Sequence, residues 1–344
     1  MAWRLIGGVG LAAVLLAGAA RAGERPWPPK TLAETHPEAA GVRPFSPQYP
    51  LWSDGATKQR WVWLPRGKTI DATDAEAWRF PIGTRFWKQF SFNGRKVETR
   101  YLEKTGRDAW VYATYVWSED QRDATLAPAA TGLPGVLEIA PGVRHDVPSV
   151  SDCKACHEGK GRDVVLGFSA LQLSADRDPL APHAEPVPAG SLQLSELLRE
   201  KRLVRAPSSW TRTAPVVAAG TSRGRAALGY FHGNCSFCHN DRDPVSSVGL
   251  SLRADLTAAS ADEQPAIRSA VGVESKFQIR DIEPGQSQRL AAGHVERSAV
   301  LVRMRARDGM SQMPPLGSKR VDSAALDLIS AWVVDDLPAG GRGM

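Results

Sequence analysis

Between Tyr49 and Ala127, short runs rich in aromatic and β-branched side chains alternate with polar residues. Arg60–Leu64, Thr84–Phe92, Lys96–Leu102 and Ala109–Trp117 have the character of strands. They are broken by Pro65–Gly67, Pro81–Gly83, Asn93–Gly94 and Thr105–Asp108, and Asn93-Gly94 is a strong hairpin signal. Within Thr84–Phe92 the period of two sets Phe86, Lys88, Phe90 and Phe92 on one face, an apolar set that is imperfect but recognisable. The pattern predicts an antiparallel β-rich, sandwich-like domain. Seven of the eleven tryptophans lie here (52, 61, 63, 78, 87, 110 and 117), as core filling or as an exposed platform for a ligand. Tyr49–Ala56 reads as an ordered turn bent at Asp54-Gly55.

Helical spacing dominates later. After a Pro/Gly-rich connection (128–142) and a proline-rich segment (178–190), Ser191–Val204 places Leu194, Leu197 and Leu198 on one helix face. Arg225–Phe231 and Ser298–Arg305 predict further helices, and Asp322 or Ser323 caps a last one carrying Leu326, Ile329 and Val333. The expected fold class is therefore α+β and multidomain: an N-terminal antiparallel β-rich, sandwich-like domain followed by mainly α-helical regions. The expected boundaries are a leader at 1–22, an aromatic β domain at 23–147, a first cofactor region with its linker at 148–215, and a second cofactor domain at 216–338.

The leader rests on a charged start, Met1–Arg4, an apolar run from Leu5 to Leu16, and Ala20-Arg21-Ala22 as an A-x-A cleavage site. The run is short for a membrane span, so the expectation is a periplasmic chain starting near Gly23 with no integral span, uncleaved anchoring being the alternative. The formal net charge of +6 falls when the leader takes Arg4 and Arg21 with it, and the basic residues are scattered. Nothing in that balance points to nucleic acid or to a membrane surface.

All four cysteines fall in two copies of one motif, Cys153-Lys-Ala-Cys156-His157 and Cys235-Ser-Phe-Cys238-His239. C-x-x-C-H is the attachment signature of c-type haem: each thiol adds to a porphyrin vinyl group and the histidine ligates iron. A zinc tetrathiolate built from both pairs is the competing reading, and a thioredoxin-like redox pair another. Export also favours haem, because a zinc-thiolate site would compete with oxidation there. The expected cofactors are thus two covalent haem c groups, held by Cys153, Cys156, Cys235 and Cys238, with His157 and His239 on iron.

Met313, followed by two prolines, offers a thioether from a braced loop as second ligand at the His239 haem, with Met310 a rival and Met304 a packing residue. Between Met1 and Met304 there is no methionine, so the first haem has a histidine ligand, a ligand from elsewhere, or an open position. His145, His183 and His232 are the distal candidates, ahead of His36 and His294.

On these residues the C-terminal third resembles a class I cytochrome c domain: motif first, a Met-Pro-Pro loop, an amphipathic helix last. The chain as a whole resembles a family of bacterial periplasmic dihaem c-type cytochromes of uncharacterised role. The likeness is carried by Pro50–Ala56, Val97–Arg100, Tyr115–Trp117, Val165–Phe168, Gly233–Asn240 and Met313–Gly317. It implies haem binding and electron transfer between a protein donor, such as a dehydrogenase, and a downstream acceptor, with no catalytic residue. The alternatives are a dihaem peroxidase-like enzyme with an open first haem, and a module whose aromatic domain docks a ligand or partner.

Overall fold

The computed structural model describes residues 27–337 apart from 160, 161, 164, 243 and 244; the expected leader at 1–22 lies outside the described residues. The aromatic stretch forms strands β1 (Arg43–Pro44), β2 (Thr57–Trp63), β3 (Ile70–Asp71), β4 (Arg85–Phe92), β5 (Arg95–Lys104), β6 (Trp110–Trp117) and β7 (Ala124–Leu126). Six of them make one antiparallel sheet in the order β1-β2-β4-β5-β6-β7. Asn93 and Gly94 join β4 to β5 with φ of 49° and 77°, the left-handed pair that a tight I′ turn requires.

Alternation along these strands serves two apolar layers. Val62 and Phe86 face one side, where they pack with Phe45, Phe80, Phe168, Leu173 and Leu197. Trp87, Tyr101, Ala113 and Tyr115 face the other, closed by Leu32. The segment before β1 holds that cover in place: Leu32 N donates to Ala124 O at 2.9 Å and Trp87 Nε1 to Thr35 Oγ1 at 2.8 Å. A hairpin of β8 (Leu133–Ala140) and β9 (Val143–Val147) adds Val136, Leu137 and Ile139 to a third cluster with Phe90, Phe92 and Val97. Trp78 and Trp87 are fully buried, and none of the seven tryptophans of this region is exposed.

Next come α1 (Val150–His157), the short pair β10 (Glu158–Gly159) and β11 (Arg162–Asp163), α2 (Leu194–Arg199) and β12 (Leu203–Val204), which pairs in parallel with β3. The remaining helices are α3 (Ser222–Asn234), α4 (Pro265–Ala270), α5 (Ala299–Arg305) and α6 (Ser323–Ala331).

The expected fold class is overturned. The architecture is a large antiparallel sheet with short helices, and no mainly α-helical cytochrome region forms. Among the described residues, loops and the two-stranded β8–β9 hairpin, not a second large sheet, cover the six-stranded sheet. Among the described residues the six α-helices span only 6 to 13 residues, and none lies between Cys235 and Gln264. The cause is local polar chemistry. Asn240 Oδ1 takes Arg242 N at 2.8 Å, Asp255 Oδ1 takes Thr257 N at 2.8 Å, and Gln264 Oε1 takes Asp255 N at 2.9 Å. Side chains that bond nearby backbone in this way compete with helix formation.

The core also crosses the chain's expected boundaries. Tyr49, from the segment before β2, packs with Phe231, Leu301, Ile329 and Trp332. Its ring lies so close to α3 that a Cβ on Gly229 would sit 2.0 Å from Tyr49 Cε1, and one on Gly233 2.3 Å from Tyr49 O. No described helix is long and apolar enough to cross a membrane.

Candidate functional site

Ser149 starts α1 with a reciprocal cap: its Oγ accepts from Asp152 N at 3.2 Å while Asp152 Oδ2 accepts from Ser149 N at 2.9 Å. On the helix so begun, Cys153, Cys156 and His157 stand three and four residues apart and share one face. That face meets the sheet at Tyr112, whose hydroxyl donates to His157 O at 3.2 Å and whose ring centre is 6.1 Å from the imidazole. Burial pushes both thiols above the usual thiol range. Arg100 of β5 opposes that at both sulfurs, and Lys88 of β4 also does so at Cys156. The β10–β11 pair after α1 is tied to the same sheet through Asp163. That buried carboxylate pairs with Lys104 and accepts from Trp110 Nε1 at 2.9 Å and Phe80 N at 2.8 Å.

The second motif follows α3 directly. Thr221 caps the helix, its Oγ1 accepting from Gly224 N at 2.9 Å, and a tight turn then returns His239 N to Cys235 O at 2.8 Å. Burial, with Cys238 beside it, pushes the Cys235 thiol up to about 12. His239 is held from behind by Leu252 N, which donates to its carbonyl at 2.8 Å. Its Nδ1 is buried with no hydrogen-bond partner. Burial first, then Arg303 and Arg289, lowers the imidazole's pKa and so disfavours its charged form. A buried, unengaged ring nitrogen is the donor a metal ion takes.

Met313 is half-buried, and its amide donates to Arg303 O at 2.9 Å, so its loop and His239 both border Arg303. Met310 is 88 % exposed and Met304 is 8 % exposed within the core, which leaves Met313 alone in a bordering position.

The distal candidates separate by what their rings already touch. His232 uses both nitrogens, Nε2 at 2.8 Å from Glu76 Oε2 and Nδ1 accepting from Ala254 N at 3.2 Å. His145 is buried on β9 with Nε2 3.2 Å from Glu98 Oε1. His183, in the left-handed region at φ 59°, sets Nε2 2.8 Å from Asp322 Oδ1 and lines a cavity of about 680 Å³. Trp52, Lys58, Arg60 and Glu185 line the same cavity, whose volume lies in the range of small-molecule sites. His294 pairs with Glu296 at the surface, Nδ1 to Oε1 at 3.0 Å, away from either motif in sequence.

No two of the four cysteines form a disulfide. Among the described residues no three His, Cys, Asp or Glu side chains converge to hold a metal ion, so the thiol pairs do not build the tetrahedral zinc site considered as an alternative.

The segment Pro50–Ala56 joins the two regions. Trp52 N donates to Asn234 Oδ1 at 2.7 Å, just before Cys235. The Asp54 carboxylate accepts from Lys319 N and Arg320 N, both at 2.8 Å, just after the Met313 loop. The sequence reading missed the charged groups beside the first motif, Lys88 and Arg100 with Glu98, and the row they form with Arg60 and Lys58. Their one visible trace was Lys88 among Phe86, Phe90 and Phe92.

Comparison of the chain with known protein families, with curated proteins and with solved structures finds no match in any of the three.

Proposed function

We propose that this protein is an exported dihaem electron carrier. Cys153 and Cys156 hold one haem c and Cys235 and Cys238 the other, with His157 and His239 as iron ligands and Met313 as the second ligand beside His239. The observation that carries the reading is the recurrence of C-x-x-C-H at both sites, using every cysteine of the chain. The residues fit the group: no two cysteines form a disulfide, and His239 presents a buried nitrogen without a hydrogen-bond partner. Bound haem iron would supply one-electron chemistry.

The chain's own residues fix the positions. The Ser149 cap and the Tyr112 contact hold α1 against the sheet, while the Thr221 cap and Tyr49 hold α3. Apolar cover around Cys235 keeps water away. The reading asks nothing of an all-helical cytochrome fold, only paired thiols and a following histidine.

The deciding experiment is a pyridine haemochrome count on protein matured in a host that assembles c-type cytochromes, with peptide mass mapping of both motifs. Two covalent haems per chain are expected. A haem-free chain would overturn the proposal.

A further inference from the structure

Opposed residues of an antiparallel sheet point to the same side. In the register of β2, β4 and β5, Arg60 opposes Lys88 and Lys88 opposes Arg100. Three cations therefore stand abreast, strands about 4.8 Å apart, across roughly 10 Å of one face. Lys58 joins them one pair along, opposite Phe90. The fully buried Phe90 ring is ringed by charge: Arg100 at 4.3 Å, Lys88 at 5.0 Å and Lys58 at 5.9 Å from its centre. Like charges placed opposite one another oppose sheet formation, so such a row needs anions.

The chain supplies too few. Arg60 pairs with Glu185, and Arg100 pairs with Glu98, whose Oε1 also takes His145. Glu98 Oε2 stays without a partner. Asp322, the remaining carboxylate acting on Lys58, is committed to His183 and Tyr230. The Lys88 ammonium, the middle of the row, makes no hydrogen bond or ion pair with any described residue. Four basic side chains thus face two carboxylates, and burial lowers Lys88 well below the usual lysine range and Lys58 to about 7.

The row has a direction. Thr114 of β6 opposes Arg100, and Tyr112, one pair along on the same face, holds His157 of α1, while at the other end Arg60 and Lys58 line the 680 Å³ cavity. It leads from the thiols outward. A porphyrin tethered through its vinyl edge carries two propionate carboxylates on the opposite edge.

Resting on the haem reading, we propose that Lys88, Arg60 and Lys58 form a carboxylate-binding seat for the propionates of the haem attached at Cys153 and Cys156. The six-stranded sheet is then a wall of the first haem site. Two carboxylates arriving there give Lys88 and Lys58 anionic partners and favour their charged forms against burial.

The test is spectropotentiometry of the two-haem protein and its Lys88→Met and Lys88→Arg variants, with haem stoichiometry measured on each. Loss of a cation beside one haem disfavours its reduced state. Lys88→Met is expected to lower the potential of the first haem and leave the second unchanged, with Lys88→Arg near wild type. Lys58→Gln gives a second reading of the same sign should Lys88→Met fold poorly. Unchanged potentials with both haems attached overturn the seat while sparing the haem reading. A wild-type chain without haem on Cys153 and Cys156 overturns both. In that chain a rise in melting temperature with inorganic phosphate, absent from Lys88→Met, would assign the row to a free anion instead.

Discussion

At the scale of single residues, the best-defined chemistry is a set of side chains whose polar atoms are fully committed or conspicuously left over. His239 is left over, and among the described methionines Met313 is the one whose loop borders it. Met313→Ala is expected to keep two haems per chain while lowering the second haem's potential and changing its ligand-field spectrum. A variant with both properties unaltered would remove Met313 from iron. Glu76 is the opposite case. Buried beside His232, it accepts from Ser169 Oγ at 2.5 Å and Leu171 N at 3.0 Å. Glu76→Ala strands those groups and should cost about 3 kcal/mol, read as a lower urea midpoint at unchanged slope. The two C-x-x-C-H motifs were legible because each is contiguous in sequence. The cation row beside the first motif was not: Arg60, Lys88 and Arg100 are far apart in sequence and meet only through strand register. Lys88 left a trace because it interrupts an aromatic alternation.

At the scale of elements, what could be read depended on whether local pattern or tertiary contact decides the structure. β4 to β6 were visible because aromatic and β-branched residues at period two, with Asn93-Gly94 between, need no further context. β3 and β12 were not, since a two-residue parallel pair is made by long-range contact alone. That pair is pinned by Arg205, which donates from Nε to Asp71 Oδ1 at 3.0 Å and from Nη2 to Oδ2. The bond from Arg205, helped by Thr73 against burial, lowers Asp71 to about 2. Because the folded value lies below the unfolded one, the pair stabilises the fold above the usual carboxylate range. Its contribution fades as pH falls through that range toward 2. Arg205 is largely exposed, so solvent screening keeps the effect small. Asp71→Asn should melt slightly lower than wild type near neutrality and coincide with it near pH 2. A difference that persists or grows in acid would refute this. Helix α3 shows the reverse dependence, since Gly229 is required by the Tyr49 ring pressed against it, which a sequence window cannot display. Tyr49 cannot retreat, being 1 % exposed and bonded to Asp178 Oδ2 at 2.9 Å. Gly229→Ala is expected to destabilise by about 1–3 kcal/mol in denaturant titration.

At the scale of the whole molecule, the fold expectation failed because the sequence was read as modules in series, whereas the chain is cross-laced. The helices near the second motif are too short to form a helical domain alone and draw on Tyr49 and Leu171 for their core. Asp54 is the narrowest part of that lacing. It is 5 % exposed, held at φ 54°, and its carboxylate gathers the two amides that close the loop beyond Met313. This gives a mechanical reason for a segment before the sheet to influence the proposed iron ligand Met313, more than 250 residues later. Asp54→Ala removes both acceptors and should cost about 1–2 kcal/mol. Hydrogen exchange should rise at Lys319 and Arg320, and the second haem's potential should move while the first stays put. Asp54→Asn keeps an acceptor oxygen and tolerates the left-handed backbone, so it should recover most of both effects. If Asp54→Ala instead disturbs the two haems equally, the segment is a general support of the core. If exchange at Lys319 and Arg320 is unchanged, the carboxylate does not hold the loop.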